Sequence, residues 1–511
     1  MKSTSTSDVR SKISAFLVLL LFALYLALIY SSGFFKDWQE LVTESYLILR
    51  GLKNYTDIAT HHAPLLTEFL AVIFKVAGTN IIVRKILLFL ISIATAFLTY
   101  RATYQLAGKR AGLYSILLFT ILWPFYGGTN FWFDTFLPIF YLFAFVLIIE
   151  KHSSGWLVLA GISMGLSFLI KQLGGVVALV IFIMLLLRPK PIRTRLKEGL
   201  VFSAGVLTPL IIVAVWYTFT GQIGEAYYWI IKYNLSGHYM HLGRRRPPNK
   251  DIIRLIVINI PIVFFLIGAT FSKAKRQLIS WDFLLALAMG FFASFTILPR
   301  WERWHAAPAI PFLVISLVLS YKYLIASSGK SDGKRNKKIV KIILTFWIIG
   351  VFSDVGMFYP PMLIEKIVPN FSQLWPLRSY APPAWYDEHF RRYVHDIPEL
   401  GKYLQKVTSE SERIFAWGWL GNKLYFESNR LPSGKLYYAL PWFTCLPRFK
   451  RDILLGFEHE QPRFVIISKI TYPGTPTLKA LGVDLDKKGY KRLPELEDRF
   501  PEVVIWKSRN P

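Results

Sequence analysis

Apolar residues fall along this chain in long runs separated by short polar stretches, and most of the runs are longer than a soluble core needs. A hydrocarbon core about 30 Å thick takes about 20 apolar residues of helix. The first run, 13–32 (ISAFLVLLLFALYLALIYSS), follows Lys2, Arg10 and Lys12. It is too long for a signal peptide and has no convincing small-residue cleavage site, so it predicts a retained span with a cytoplasmic N-terminus. Further runs near 80–100, 111–127, 134–149, 156–175, 176–187, 199–218, 252–271, 282–298, 305–324 and 339–358 bring the expectation to about eleven spans. Within 156–187, the pair Gly174-Gly175 must turn the chain inside the bilayer. Stretch 64–77 (PLLTEFLAVIFKVA) is shorter and carries Glu68 and Lys75, which predicts an amphipathic interfacial helix.

Loop charges orient these spans. Arg101/Lys109/Arg110, Lys151, Arg188/Lys190/Arg193/Arg195/Lys197, Lys273/Lys275/Arg276 and Lys330/Lys334/Arg335/Lys337/Lys338 all fall on the N-terminal side of the membrane, as the positive-inside rule requires. The loop with Arg244-Arg245-Arg246 and Lys250 falls outside, and cations set against the bias suggest a use other than orientation. An odd number of spans leaves 359–511 outside the cytoplasm. This tail alternates helix-like segments (399–412 and RFKRDILLGFEHE) with strand-like ones (ERIFAWGW, PRFVIIS, EVVIWKS), which predicts a small α/β domain. The expected architecture is thus a mainly α, multi-pass cell-membrane protein. Residues 1–358 form a transmembrane domain, with 33–79 as its first external loop, and 359–511 an extracytoplasmic α/β domain.

Composition narrows the function classes. Of 511 residues, 53% are hydrophobic and 18% charged, against about 25% charged in a soluble globular protein. Disorder, fibrous structure and an ordinary soluble enzyme are excluded. The excess of 60 Lys+Arg over 32 Asp+Glu, a net +28, sits between apolar segments, so it reads as membrane topology and not as a nucleic-acid surface. The single cysteine, Cys445, excludes an intramolecular disulfide and a cysteine-based zinc site.

Charge in external loops calls for a partner or a task. In KDWQELVTESYLILRG, Asp37, Glu40 and Glu44 follow at i, i+3 and i+7, one face of a helix. They present three carboxylates to one cleft, or simply the solvated face of an interfacial helix. Tyr55, Asp57 and His61-His62-Ala63-Pro64 follow. Adjacent histidines can ligate a metal, but chain neighbours rarely point the same way. No metal ligand set is therefore assigned, and the only cofactor left open is a divalent cation. Asp134 opens a span and either caps it or joins the chemistry. Lys171, near the outer end of SMGLSFLIKQLGGVVALV, either snorkels or holds an anion. Arg300, Arg303 and His305 in PRWERWHAAPAIP suit a phosphate head group, or belong to an interfacial belt with Trp301 and Trp304.

Combined, acids in one outer loop and cations in others suit sugar transfer from a lipid-phosphate carrier. An acid deprotonates the acceptor hydroxyl, and fixed cations stabilise the departing phosphate. No glycine-rich phosphate loop follows a strand, as expected if the donor is held by its lipid.

The order Asp37, Gly51, Tyr55-Thr56-Asp57, His62-Ala63-Pro64 resembles the first loop of the GT-C membrane glycosyltransferases. It is closest to the protein O-mannosyltransferase-like and aminoarabinose-transferase-like enzymes that use polyprenyl-phosphate sugars. Trp38 stands where that family usually carries a second acid, with Glu40 able to occupy similar space, and Ala63 stands where it often has proline. Asp134 in FDTFLPIFYLFAF, the segment GISMGLSFLIKQ, and Arg303-Trp304-His305 followed by Pro308 and Pro311 resemble further family landmarks, so the likeness covers about residues 10–325. It implies Asp37 as general base in an inverting transfer, Asp134 orienting the acceptor or assisting, and Lys171, Arg300, Arg303 and His305 at the donor phosphate. The implied partners are a polyprenyl-phosphate sugar and a lipid, glycan or protein acceptor. A lipid-linked polysaccharide ligase or polymerase is the alternative enzyme. A transporter or flippase fits less well, because the charges collect in external loops and no half-repeat is evident.

Overall fold

The structure is a computed structural model that describes residues 16–18, 20–27, 35–37, 39–150, 153–236, 259–264, 280–297, 303–327, 384–418, 420–435, 441–444, 446–469 and 474–509, with isolated positions between them. Along the chain these form helix α1 (Phe16–Ala27), strand β1 (Lys36–Asp37), α2 (Gln39–Leu49), α3 (Leu65–Ala77), α4 (Ile81–Ala107) and α5 (Lys109–Trp123). A π-turn over Pro124–Gly128 leads to β2 (Asn130–Phe131), α6 (Phe133–Glu150), α7 (Ser154–Ile170), α8 (Gly174–Leu186), α9 (Ile192–Phe219) and α10 (Ile223–Tyr227). Then come α11 (Trp281–Ala293), a 3₁₀ segment at Arg303–Ala309, α12 (Ile310–Ser327), α13 (Ala384–Val407), β3 (Ile414–Trp417), α14 (Gly421–Ser428), α15 (Pro447–His459), β4 (Phe464–Ser468), β5 (Tyr490–Arg492) and β6 (Val503–Ser508).

The residues gather into two compact units. The first comprises Met1–Asp37, Asn80–Val215 and Arg245–Tyr380, and the second Trp38–Thr79, Trp216–Arg244 and Ala381–Pro511. Residues 38–79 of the first external loop therefore group with the tail. Four described helices are long and apolar enough to cross a membrane: Ile81–Ala107, Phe133–Glu150, Ile192–Phe219 and His305–Lys322. Helices α7, α8, α11 and α1 are apolar but shorter. The described residues thus contain fewer full-length spans than the expected eleven, and of the spans expected near 252–271 and 339–358 they include only the helical run 259–264 and isolated positions. This is a membrane protein built mainly from helices.

Close helix approach in the first unit rests on small residues. A Cβ on Gly161 of α7 would lie 2.1 Å from the Phe202 carbonyl oxygen of α9, and one on Gly165 would lie 2.3 Å from that of Val206 and 2.5 Å from the Pro209 ring. Small residues four apart give a groove into which a neighbouring backbone fits. At the α7–α8 junction, Lys171 is extended (φ −151°, ψ 130°), and the helix restarts at Gly174, whose Cβ would lie 2.6 Å from the Ser167 main chain. The chain therefore breaks three residues before the glycine pair expected to turn it.

The second unit holds a four-stranded sheet of order β3-β4-β6-β5. Strand β3 runs parallel to β4, with Ile414 opposite Phe464, and β6 is antiparallel to both β4 and β5. Strand β3 is buried at all four positions, as expected of an apolar strand covered on both faces, and helix α15 lies in the connection from β3 to β4. Helix α2 buries Leu41, Val42, Tyr46 and Leu47, and the Tyr46 hydroxyl donates to Asn429 at 2.8 Å. Helix α3 buries Leu66, Leu70 and Phe74 and exposes Phe69, Val72 and Val76, as an amphipathic helix too short to cross a bilayer would. Its Glu68 accepts from Asn54 Nδ2 at 2.8 Å.

Two outcomes are expected. Gly161→Leu should cost about 1–3 kcal/mol of stability through overpacking against α9, read as a lower thermal midpoint in detergent, whereas Gly155→Ala, with open space around it, should not. Burial pushes the Glu68 carboxyl above its ordinary 4.5, with the Asn54 bond opposing in part. A raised carboxyl contributes stability that is full below its ordinary value and is lost as pH rises through the raised one. Glu68→Gln should therefore gain stability relative to the parent as pH rises from 4 towards 7, and parallel midpoint curves for the two proteins would refute this.

Candidate functional site

In the first unit, the candidate residues converge where α6, the α7–α8 break and the 3₁₀ turn before α12 meet. Asp134 occupies the first turn of α6 and is fully buried. A carboxylate there gains from the helix N-terminus, but burial of a charge demands partners. Lys171 Nζ donates to Asp134 Oδ1 at 2.6 Å, and His305 Nδ1 lies 2.5 Å from Oδ2. Lys171 can reach because the extended residue at the break leaves the helical path. His305 is held by the Thr296 hydroxyl, which donates to its carbonyl. Three residues assigned separately from the sequence thus form one ion-paired cluster, in which the lysine and the histidine both face the acid.

Asp37 arrives by main-chain pairing. Strands β1 and β2 are parallel, with Lys36 opposite Asn130 and Asp37 opposite Phe131. Paired strands sit about 4.8 Å apart and consecutive Cα atoms 3.8 Å, so the Asp37 Cα lies within about 16 Å of that of Asp134, three residues beyond Phe131. The turn leading into β2 is tied by the Thr135 hydroxyl to the carbonyls of Asn130 (2.8 Å) and Gly127 (3.1 Å), and by the Tyr30 hydroxyl to Gly128 O at 2.8 Å. Neither Thr135 nor Tyr30 stands out in the sequence, since each lies in an apolar run and shows its role only through contacts distant along the chain. The expectation that Asp37, Glu40 and Glu44 share one helical face is corrected. Helix α2 begins at Gln39, so Asp37 belongs to a strand. Arg300 lies outside the described residues, and of Arg303 only the main chain, in the 3₁₀ segment, is described.

The second unit holds the other first-loop candidates. Glu44 is fully buried in α2. Asp57 Oδ2 accepts from the Lys53 main-chain N–H at 2.9 Å and closes a turn. Tyr55 is buried at φ 65°, and its hydroxyl donates to the His62 carbonyl at 2.9 Å. The rings of His61 and His62 do point the same way, with centroids 4.1 Å apart, and His62 Nε2 lies 3.5 Å from Glu40 Oε1. The potential ligand atoms of Glu40, His61 and His62 all fall within 4.8 Å of one another. Among the described residues this is the group with a metal-binding geometry.

Comparison with known proteins bears on this architecture. The model of the family described as dolichyl-phosphate-mannose-protein mannosyltransferase matches residues 61–219. No curated protein matches the sequence. Among solved structures, ArnT from Cupriavidus metallidurans bound to undecaprenyl phosphate superposes with a TM-score of 0.57 at 13% identity, covering 95% of this chain and 97% of that one. The apo state of the same protein gives 0.57 at 14%, covering 96% and 98%. The archaeal oligosaccharyltransferase AglB from Archaeoglobus fulgidus, in complex with an inhibitory peptide and a dolichol-phosphate, gives 0.50 at 12%, covering 89% and 69%. In fold, then, the chain is similar to ArnT over nearly its whole length and to AglB over most of it, and across residues 61–219 it matches the model of the dolichyl-phosphate-mannose-protein mannosyltransferase family.

Proposed function

We propose that the protein transfers a sugar from a polyprenyl-phosphate carrier to an acceptor hydroxyl on the extracytoplasmic face, with inversion at the anomeric carbon. The observation that carries this reading is the pairing of β1 with β2, which brings Asp37 into the neighbourhood of Asp134 and its two partners. The undecaprenyl phosphate in the ArnT structure and the dolichol-phosphate in that of AglB support a lipid-phosphate donor.

Asp37 acts as general base on the acceptor hydroxyl, which attacks the anomeric carbon in one displacement. The bond to the carrier phosphate breaks, and the negative charge on the departing phosphate grows. Lys171 meets that charge. An ammonium has three N–H donors, and the bond to Asp134 uses one of them. Asp134 keeps Lys171 and His305 in place and orients the acceptor or assists Asp37. Arg300 and Arg303 complete the phosphate site. The N-terminus lies in the cytoplasm and the 359–511 segment outside it.

Asp37→Asn should keep the protein folded and membrane-inserted while lowering transfer by about 10²–10⁴, the usual contribution of a general base. Full activity in that variant, measured with a polyprenyl-phosphate sugar in detergent or vesicles, would remove Asp37 from the mechanism. Lys171→Ala should weaken binding of the lipid-phosphate donor more than that of the acceptor. Equal donor affinity in parent and variant would refute the phosphate role of Lys171.

A further inference from the structure

We propose that the hairpin of α8 and α9 holds one anionic phospholipid, its acyl chains along the seam between the helices and its phosphodiester at Lys190, Arg193 and Lys197. The site lies at the opposite end of α8 from Lys171, about 20 Å along the helix from Gly174 to Leu187. It does not depend on the transfer chemistry.

The apolar part of the site is a pair of rows beside one seam. A Cβ on Gly199 of α9 would lie 3.0 Å from the Phe182 ring and 3.4 Å from Leu186 of α8, and Arg195 Nη1 donates to the Leu186 carbonyl at 2.7 Å. Contacts of 182 with 199 and of 186 with 195 mean that the two helices run in opposite directions. Leu179, Ile183 and Leu187 on α8, and Ile192, Leu196 and Leu200 on α9, are all at least 44% exposed. At about 100° per residue, the first set is turned about 60–140° from Phe182 and the second about 20–100° from Gly199, in the same sense. In antiparallel helices an equal sense of turn puts both rows on the same side of the seam. Each row is about 12 Å long, close to the ~15 Å half-thickness of a bilayer's hydrocarbon core.

Charge at the end of these rows selects the occupant. Five cations and one acid lie between residues 188 and 198. The acid, Glu198, is buried and holds Lys190 Nζ at 2.6 Å and Arg188 Nη1 at 3.5 Å. Arg188 also lies over the Trp281 ring at 4.6 Å, and the indole N–H donates to the Met184 carbonyl at 3.0 Å. The turn is therefore pinned, and a tryptophan stands at the level where head groups meet hydrocarbon. Arg193 and Lys197 are exposed and flank the α9 row. They stand four residues apart, where like charges repel, and among the described residues neither pairs with an acid. A phosphodiester relieves that repulsion. Lys190 keeps two N–H donors beyond the one given to Glu198, and long cationic side chains reach past an apolar helix face to the head-group level. Basic positions set against membrane-level apolar ones attract anionic lipid and not zwitterionic lipid.

The test is native mass spectrometry of the full chain in detergent, with phosphatidylglycerol and phosphatidylcholine of the same acyl chains as competing probes. One phosphatidylglycerol per chain is expected, retained at least fivefold over phosphatidylcholine, a readout that needs no variant to fold. The double variant Arg193→Gln/Lys197→Gln should lose that preference. Arg110→Gln, which removes an exposed cation on α5, should keep it, and so should Lys171→Ala, which separates this site from that of the donor. Equal retention of the two lipids by the parent, equal loss in Arg110→Gln and the double variant, or loss in Lys171→Ala would overturn the proposal. So would glycerol phosphate, the head group without chains, held as firmly as the lipid.

Discussion

A charge with no access to water organises the first unit. Asp134 is fully buried at the head of α6, and an ionised carboxylate there is tolerable only with its partners in place. Those partners lie 37 and 171 residues away along the chain. Meeting them dictates local structure that helix propensity alone would not produce. The α7–α8 path must open at Lys171, and the chain ahead of α12 must tighten into a 3₁₀ turn to present His305. One buried acid thereby ties together three parts of the bundle.

The second unit is held differently. Its sheet and helices bury aromatic and aliphatic side chains as a water-soluble domain does, and its polar groups are bonded mostly to main chain. Arg430 is a case in point. It is buried, and its guanidinium donates to the carbonyls of Gln405, Thr408, Ser428 and Asn429, closing the ends of α13 and α14. The segment 38–79 belongs to this unit although the chain delivers it between two apolar helices.

Helical runs are legible because a membrane imposes length and continuity on them, and the apolar stretches at 81–107, 133–150 and 192–219 are helices in the structure. The segments around IFAW, FVIIS and VVIWKS form strands for the related reason that short β-branched and aromatic runs flanked by turns suit a covered sheet. The site was less legible. Helical spacing suggests one face for Asp37, Glu40 and Glu44, but a two-residue strand pairing claims Asp37 and starts the helix at Gln39. Lys171 and His305 suggest phosphate ligands from residue type. That both pair with Asp134 is invisible without the fold, because no local period links residues so far apart. Chain adjacency argues against His61 and His62 facing together, yet their rings lie 4.1 Å apart, with the His62 carbonyl held by the Tyr55 hydroxyl and the His61 carbonyl by the Asn234 amide.

The pairing of β1 with β2 has a consequence for how position 37 can vary. Residue 37 is located by strand pairing, opposite Phe131, and the main-chain bonds between strands are indifferent to the side chains they carry. The anchoring point is therefore decoupled from the side chain. Evolution or design can shorten, lengthen or neutralise the arm at this position while its shoulder stays where the strand puts it, so that reach and acidity become adjustable without rebuilding the scaffold.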